Sequence, residues 1–326
     1  MSNVSTEKKR DPVIDLMRGI GLLLVMSAHV RSDSFYFNFR QFDVTLLMFV
    51  SGMSFVCSAK PVSYRSYVNK RVGRLLVPVF LFLVLYLPIH TFVFHFELSV
   101  PEIIKSFLLL AGGIEFVWIY RVMFTTALLN PFLKKAVDSL NLWICYGILA
   151  ISLFMNDFLY RGIFGELHSP LDKIMIYLVT FTVGYACISA FGMLFVKLDN
   201  AKKMIFTAVS TLLFLGLACF FRFAELQPFK HPPMTYYIFY GIMWSGFLYI
   251  VCSRWKHEIS SWKWIKWLSV NSMDIYLSHI FWFYLFQTLN LETHISSILL
   301  YLIIVLSSVG STLLVQIVRK NVRGAA

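Results

Sequence analysis

Ten apolar runs recur along the chain, at residues 13–30, 42–58, 75–95, 114–133, 141–158, 173–193, 204–222, 234–252, 268–288 and 297–317. Each is long enough to be read as a helix crossing the ~30 Å hydrocarbon core of a bilayer. With 58% hydrophobic and 14% charged residues among 326 positions, an ordinary soluble domain and a disordered chain are both excluded. The pattern predicts an all-α fold, a polytopic transmembrane bundle of about ten helices. One stretch, 99–112, is short and led by a proline, and reads as a re-entrant or interfacial piece.

A net charge of +12 would suit nucleic acid if it were clustered, but its distribution follows the topology instead. With a cytoplasmic N-terminus, 20 of the 29 Lys and Arg residues fall on the inner segments: Lys8, Lys9, Arg10; Lys60, Arg65, Lys70, Arg71, Arg74; Lys134, Lys135; Lys197, Lys202, Lys203; Arg254, Lys256, Lys263, Lys266; and Arg319, Lys320, Arg323. Seven fall outside, and Arg18 and Arg121 lie within spans. This asymmetry obeys the positive-inside rule and places both termini in the cytoplasm. The expected partners are membrane lipids, with no nucleic acid. The first apolar run holds Arg18 and lacks a small-residue cleavage pattern, so it is expected to remain as an anchor. The five cysteines show no metal-ligand spacing, and no metal site is expected. One domain is predicted over 13–318, between a polar tail at 1–12 and a basic tail at 319–326.

The first run carries the strongest functional signal. A charged Arg within a transmembrane helix costs at least ~2.5 kcal/mol on insertion scales and usually faces a polar interior. Eleven α-helical steps from Arg18 to His29 bring the two side chains within about 20° around the axis and roughly 16 Å along it. A neutral imidazole is well suited to take a proton from a hydroxyl near neutral pH, so His29 is the candidate base. The plain alternatives are an interfacial anchor for His29 and a local i,i+3 ion pair with Asp15 for Arg18.

Other residues fall into place around this pair. Ser51-Gly52 permits close helix approach or a local break. Arg71 and Arg74, i,i+3 at the expected start of a helix, suit the phosphates of a cytosolic ligand, or act as ordinary topology-setting charge. Arg121 is expected to face the bundle interior, and Asn130-Pro131 to end its helix. Asp157, Arg161, Glu166 and His168 read as an outer loop. Asp274, Tyr276, Ser278 and His279 read as lining a polar cavity shared with Arg18. Such an intramembrane set also fits a transporter or flippase of a lipid-linked sugar.

Ile14-Asp15-Leu16-Met17-Arg18-Gly19 with His29, then Ser51-Gly52, Arg71-Val72-Gly73-Arg74, Trp118-Ile119-Tyr120, Lys230-His231-Pro232-Pro233 and Ser272-Met273-Asp274-Ile275-Tyr276-Leu277-Ser278-His279 occur in that order. As an ordered set they resemble the acyltransferase-3 family of integral-membrane acyltransferases, of the surface-polysaccharide O-acetyltransferase type. The resemblance implies acyl transfer from acetyl-CoA, a donor substrate and not a bound cofactor, to a hydroxyl of a cell-surface or lipid-linked glycan at the inner membrane. It makes His29 catalytic with Arg18 as partner. Arg71 and Arg74 then hold the donor, with Arg121 assisting, and Ser51, Asp274, Tyr276 and His279 line the cavity. This chain has Thr45 where many relatives carry an acidic residue, which leaves Asp43 to orient His29, and His231 where many carry Tyr. With the chain ending at 326, no added soluble domain and no hydrolase-like partner activity are expected.

Overall fold

A computed structural model describes residues 11–30, 34–58, 62–110, 112–114, 116–163 and 169–324. Among these residues every regular element is helical. The helices are α1 (Pro12–Ser27), α2 (Ser34–Phe39), α3 (Asp43–Ser58), α4 (Tyr64–Arg71), α5 (Val77–Phe92), α6 (Val100–Phe107), α7 (Trp118–Ser139) and α8 (Leu142–Ile163). They continue as α9 (Pro170–Val196), α10 (Asn200–Phe220), α11 (Thr235–Ser253), α12 (Lys256–Ser261), α13 (Lys263–Val270), α14 (Ser272–Thr288), α15 (Leu291–His294) and α16 (Ser297–Gly324).

Each of the ten expected runs falls on a helix, yet seven stretches are long and apolar enough to cross a membrane: Tyr36–Ser58, Tyr64–Phe92, Leu142–Ile163, Tyr177–Val196, Asn200–Phe220, Thr235–Ser253 and Ser297–Asn321. The shortfall has physical causes. Helices α1 and α14, of 16 and 17 residues, reach only about 24 and 26 Å at 1.5 Å per residue. Helix α7 carries Arg121, Lys134, Lys135 and Asp138.

Local chemistry explains where the helices begin and end. The Asp11 carboxylate accepts the Val13 N–H at 3.0 Å, and Pro12 occupies a first-turn position that needs no donor. Helix α1 stops at Ser27, where the bonds become i→i−3: Ala28, His29 and Val30 donate to Val25, Met26 and Ser27. Helices α4 and α5 form one continuous run through a π turn, Val72–Leu76, in which Val77 N–H donates to the Val72 carbonyl. Pro78 follows immediately, and its missing N–H and its ring both disfavour an α-helical bond to the Arg74 carbonyl.

Two expectations are corrected here. Helix α7 passes through Pro131 to Ser139 and does not end at Asn130-Pro131; the Asn130 side chain instead accepts the Ser189 hydroxyl at 2.9 Å. Asp157 and Arg161 lie on α8, not in a loop. The Asp157 carboxylate accepts the Thr235 N–H at 3.1 Å, meeting an orphan donor at the start of α11. Glu166 and His168 lie outside the described residues.

The chain divides into two compact units: 1–18, 41–63 and 126–266 form the first, and 19–40, 64–125 and 267–326 the second. In the first unit, α3 and α9 cross at backbone contact. A Cβ on Gly52 would stand 1.9 Å from the Ser189 carbonyl oxygen, and one on Gly192 would stand 2.0 Å from that of Phe49. The same closeness recurs where Gly241 meets Thr45 and Gly246 meets Thr207, so small residues let these helices pack without intervening side chains. Phe49, Phe191, Phe195 and Phe206 fill the adjoining core.

In the second unit, α14 and α16 are joined through hydroxyls. Ser278 donates to the Ser311 oxygen at 3.0 Å, and the Trp282 indole donates to that oxygen at 2.7 Å. Tyr301 reaches from α16 to the Leu23 carbonyl at 3.1 Å. Helix α6 opens on a capping box between Ser99 and Glu102.

Replacing Gly52 with Ala forces backbone against backbone, whereas a Cβ at Gly216 meets nothing within 4 Å. Gly52→Ala is therefore expected to abolish the monodisperse peak in size-exclusion chromatography of detergent-solubilised protein. Gly216→Ala, in α10, should leave that peak and its thermal midpoint unchanged or slightly raised.

Candidate active site

His29 sits in the turn that follows α1, so the α-helical projection from Arg18 stops two residues short of it. Within the second unit, three rings surround its half-buried imidazole. Phe116 lies 3.8 Å away between centroids, tilted by 57°; His279 is nearly parallel at 5.3 Å and 26°; Phe283 is edge-on at 6.0 Å. His279 itself is wholly buried.

The walls of this arrangement are clasped. The Tyr276 hydroxyl donates to the Phe116 carbonyl at 2.8 Å, and the Tyr120 hydroxyl donates to the Met273 carbonyl at 2.8 Å. The two tyrosines thus tie the start of α7 to the first turns of α14 in opposite directions. Phe116 adopts φ +81°, a conformation that costs a non-glycine residue of order 1–3 kcal/mol and persists only where its surroundings hold it. The hydroxyl on its carbonyl and the imidazole against its ring are two such restraints.

His279 directs Nδ1 at the Tyr276 carbonyl oxygen. A carbonyl only accepts, so Nδ1 carries the proton and Nε2 bears the lone pair. That Nε2 is buried and has no hydrogen-bond partner among the described residues. Asp274 and Ser278 are half-buried on the same helix. Arg121 is half-buried on the first turn of α7.

Arg18 belongs to the first unit. Its guanidinium donates to the Ser54 hydroxyl and stands 3.9 Å from the Asp15 carboxylate, so the i,i+3 pairing expected from sequence is present. Ser54, one turn beyond Ser51 on α3, was not among the expected residues. Its only signal in the sequence was that spacing. Ser51 is half-buried on the same helix.

Arg71 and Arg74 do not flank a free helix start, because α4 ends at Arg71 and runs straight into the π turn, Val72–Leu76, that holds Arg74. The Arg71 guanidinium covers the Tyr67 ring at 4.9 Å, and Arg74 is exposed.

Arg40 and Asp43 are buried, at 2% and 1% exposure, rather than solvated. The Asp43 carboxylate binds Lys230 Nζ at 2.9 and 3.3 Å and accepts the Val44 N–H at 2.6 Å. His231, beside that lysine, stacks on Phe181 at 5.8 Å. Desolvation of the ring, aided by the Lys230 charge, holds its imidazole below the ordinary value, while part of the residue stays exposed.

The family model described as an acyltransferase domain matches residues 11–317. The chain belongs to the acyltransferase-3 family. Searches of curated proteins and of solved structures find no match. As a member of this family with several apolar helices long enough to cross a bilayer, the protein is a multi-pass membrane acyltransferase. The resemblance drawn from the ordered motifs is thereby borne out at the level of the family.

The surroundings of Asp43, Lys230 and His231 in the first unit generate two predictions. Asp43→Leu takes the carboxylate from the buried Lys230 ammonium and is expected to cost about 3–5 kcal/mol, which Lys230→Met in the same chain offsets. The double variant should recover much of that in a thermal-unfolding cycle. His231 binds a proton less readily folded than unfolded, so the folded state loses ground as pH falls below about 6.5. His231→Phe, which keeps a ring on Phe181, should flatten that loss when thermal midpoints are compared across the window.

Proposed function

We propose that this acyltransferase moves an acetyl or similar acyl group from acetyl-CoA to a hydroxyl of a cell-surface or lipid-linked glycan. The observation that carries the reading is the immobilised imidazole of His29, set among Phe116, His279 and Phe283 in a chain of this family. An imidazole fixed in this way acts as a general base without first having to be ordered.

His29 takes the proton of the acceptor hydroxyl. The oxygen attacks the thioester carbonyl carbon, and the C–O bond forms as the carbonyl oxygen gains negative charge. Collapse of that intermediate breaks the C–S bond. The thiolate leaves and recovers the proton from the His29 imidazolium, giving an ester and free coenzyme A. Arg18 is the charged partner of the pair, opposing developing negative charge where the dielectric is low. Arg71 and Arg74 supply donor-binding charge from a side that we assign to the cytoplasm, with Arg121 assisting. Guanidiniums suit the phosphates of coenzyme A, and the pair sits with Arg71 at the end of α4 and Arg74 within the π turn. Asp274, Tyr276 and His279, in the second unit, are assigned to the acceptor path, and Ser51 is assigned a lining role in the first. We further assign ten crossings and both termini to the cytoplasm on the distribution of basic residues, and the inner membrane as location on membership of the family.

Transfer of labelled acetyl from acetyl-CoA to the envelope glycan, followed by NMR of the product, tests this directly. His29→Ala, confirmed in the membrane by immunoblot, should lower transfer by about 10²–10⁴-fold; wild-type rates in that variant would overturn the assignment.

A further inference from the structure

A buried acceptor without a donor is the most informative atom in the second unit. Nδ1 of His279 is committed to the Tyr276 carbonyl, so Nε2 is a lone pair and cannot donate. Among the described residues it meets no donor and is buried. What surrounds the ring is aromatic: Phe116 at 6.2 Å, Tyr276 at 4.6 Å and His29 at 5.3 Å between centroids. The Tyr276 hydroxyl already donates to the Phe116 carbonyl. Leaving such a nitrogen unmet is costly, and a phenylalanine would fill the same space without that cost. The near-parallel stacking on His29, tilted by only 26°, places two imidazoles side by side.

We propose that His279 Nε2 accepts a hydrogen bond from the acyl acceptor, at a hydroxyl or amide N–H adjacent to the hydroxyl that His29 deprotonates. The substrate class follows: an acceptor with two neighbouring donors, as on a sugar ring, is preferred over one with a single hydroxyl. His279 is then a specificity residue that touches substrate but exchanges no proton in the transfer. The inference rests on the reading of His29 as the base, and its test separates the two.

The full-length protein in phospholipid vesicles, with acetyl-CoA as donor, is given methyl glycosides as probe acceptors. NMR locates the acylated position, and the glycoside lacking the neighbouring hydroxyl is then compared. Wild type is expected to favour the parent glycoside by roughly tenfold in kcat/KM, the worth of one hydrogen bond of about 1.4 kcal/mol. His279→Phe keeps the ring and loses the lone pair; it should treat both glycosides alike, with the parent's KM raised and kcat little changed. His279→Gln, which carries an amide oxygen near the Nε2 position, should restore the preference. Discrimination by His279→Phe equal to wild type overturns the inference, as does equal loss of kcat in both variants, which marks a purely structural imidazole. Wild-type rates in His29→Ala overturn the assignment of the base while leaving the discrimination readable. Failure of wild type to acylate any glycoside overturns the glycan reading and this inference with it.

Discussion

A nitrogen or oxygen carried into apolar packing is costly until another group meets it, and much of the architecture is arranged around that requirement. In the first unit the Asp157 carboxylate meets the opening N–H of α11, Lys230 meets Asp43, Asn130 meets Ser189, and Tyr146 meets Ser210 at 2.9 Å. Each pairing joins segments distant in sequence, so the cost of burying polar atoms becomes a means of fixing which helices adjoin. The glycine crossings of α3 with α9 bring the backbones close enough for such short side chains to reach.

The second unit applies the same requirement to the surroundings of His29. Tyr276 and Tyr120 each satisfy a hydroxyl on a backbone carbonyl across the gap between α7 and α14. In doing so they hold Phe116 in a left-handed conformation and set its ring against the imidazole. The setting of the imidazole proposed as the base therefore depends on hydrogen bonds made elsewhere in the unit. A general base is useful in proportion to how little it must be reoriented before it acts.

Composition and apolar run length made the helical membrane class legible, and Ser51-Gly52 announced a close crossing because few residues other than glycine fit between touching backbones. The i,i+3 spacing of Asp15 and Arg18 gave their pairing correctly. What stayed hidden depended on geometry that spacing does not encode. The end of α1 at Ser27, two residues before His29, reflects a change to i→i−3 bonding within an unbroken apolar run. Continuation of α7 through Pro131 overrode a strong local stop signal. Phe116 is one aromatic among 32 phenylalanines, and its role comes from a tyrosine 160 positions away. Asp43 looked available to a histidine until its lysine partner, 187 residues on, was in view.

The wide turn between α4 and α5 has a consequence for how the basic end of that long helix is aimed. An α-helix locks the bearing of every side chain to every other at about 100° per residue; a π turn breaks that lock once. The apolar stem from Val77 onward can keep its lipid and protein faces fixed while the segment carrying Tyr67, Lys70 and Arg71 is set at a different azimuth. Register on one side of the turn is thus uncoupled from register on the other, and cationic residues can be tuned to a ligand without repacking the rod that carries them.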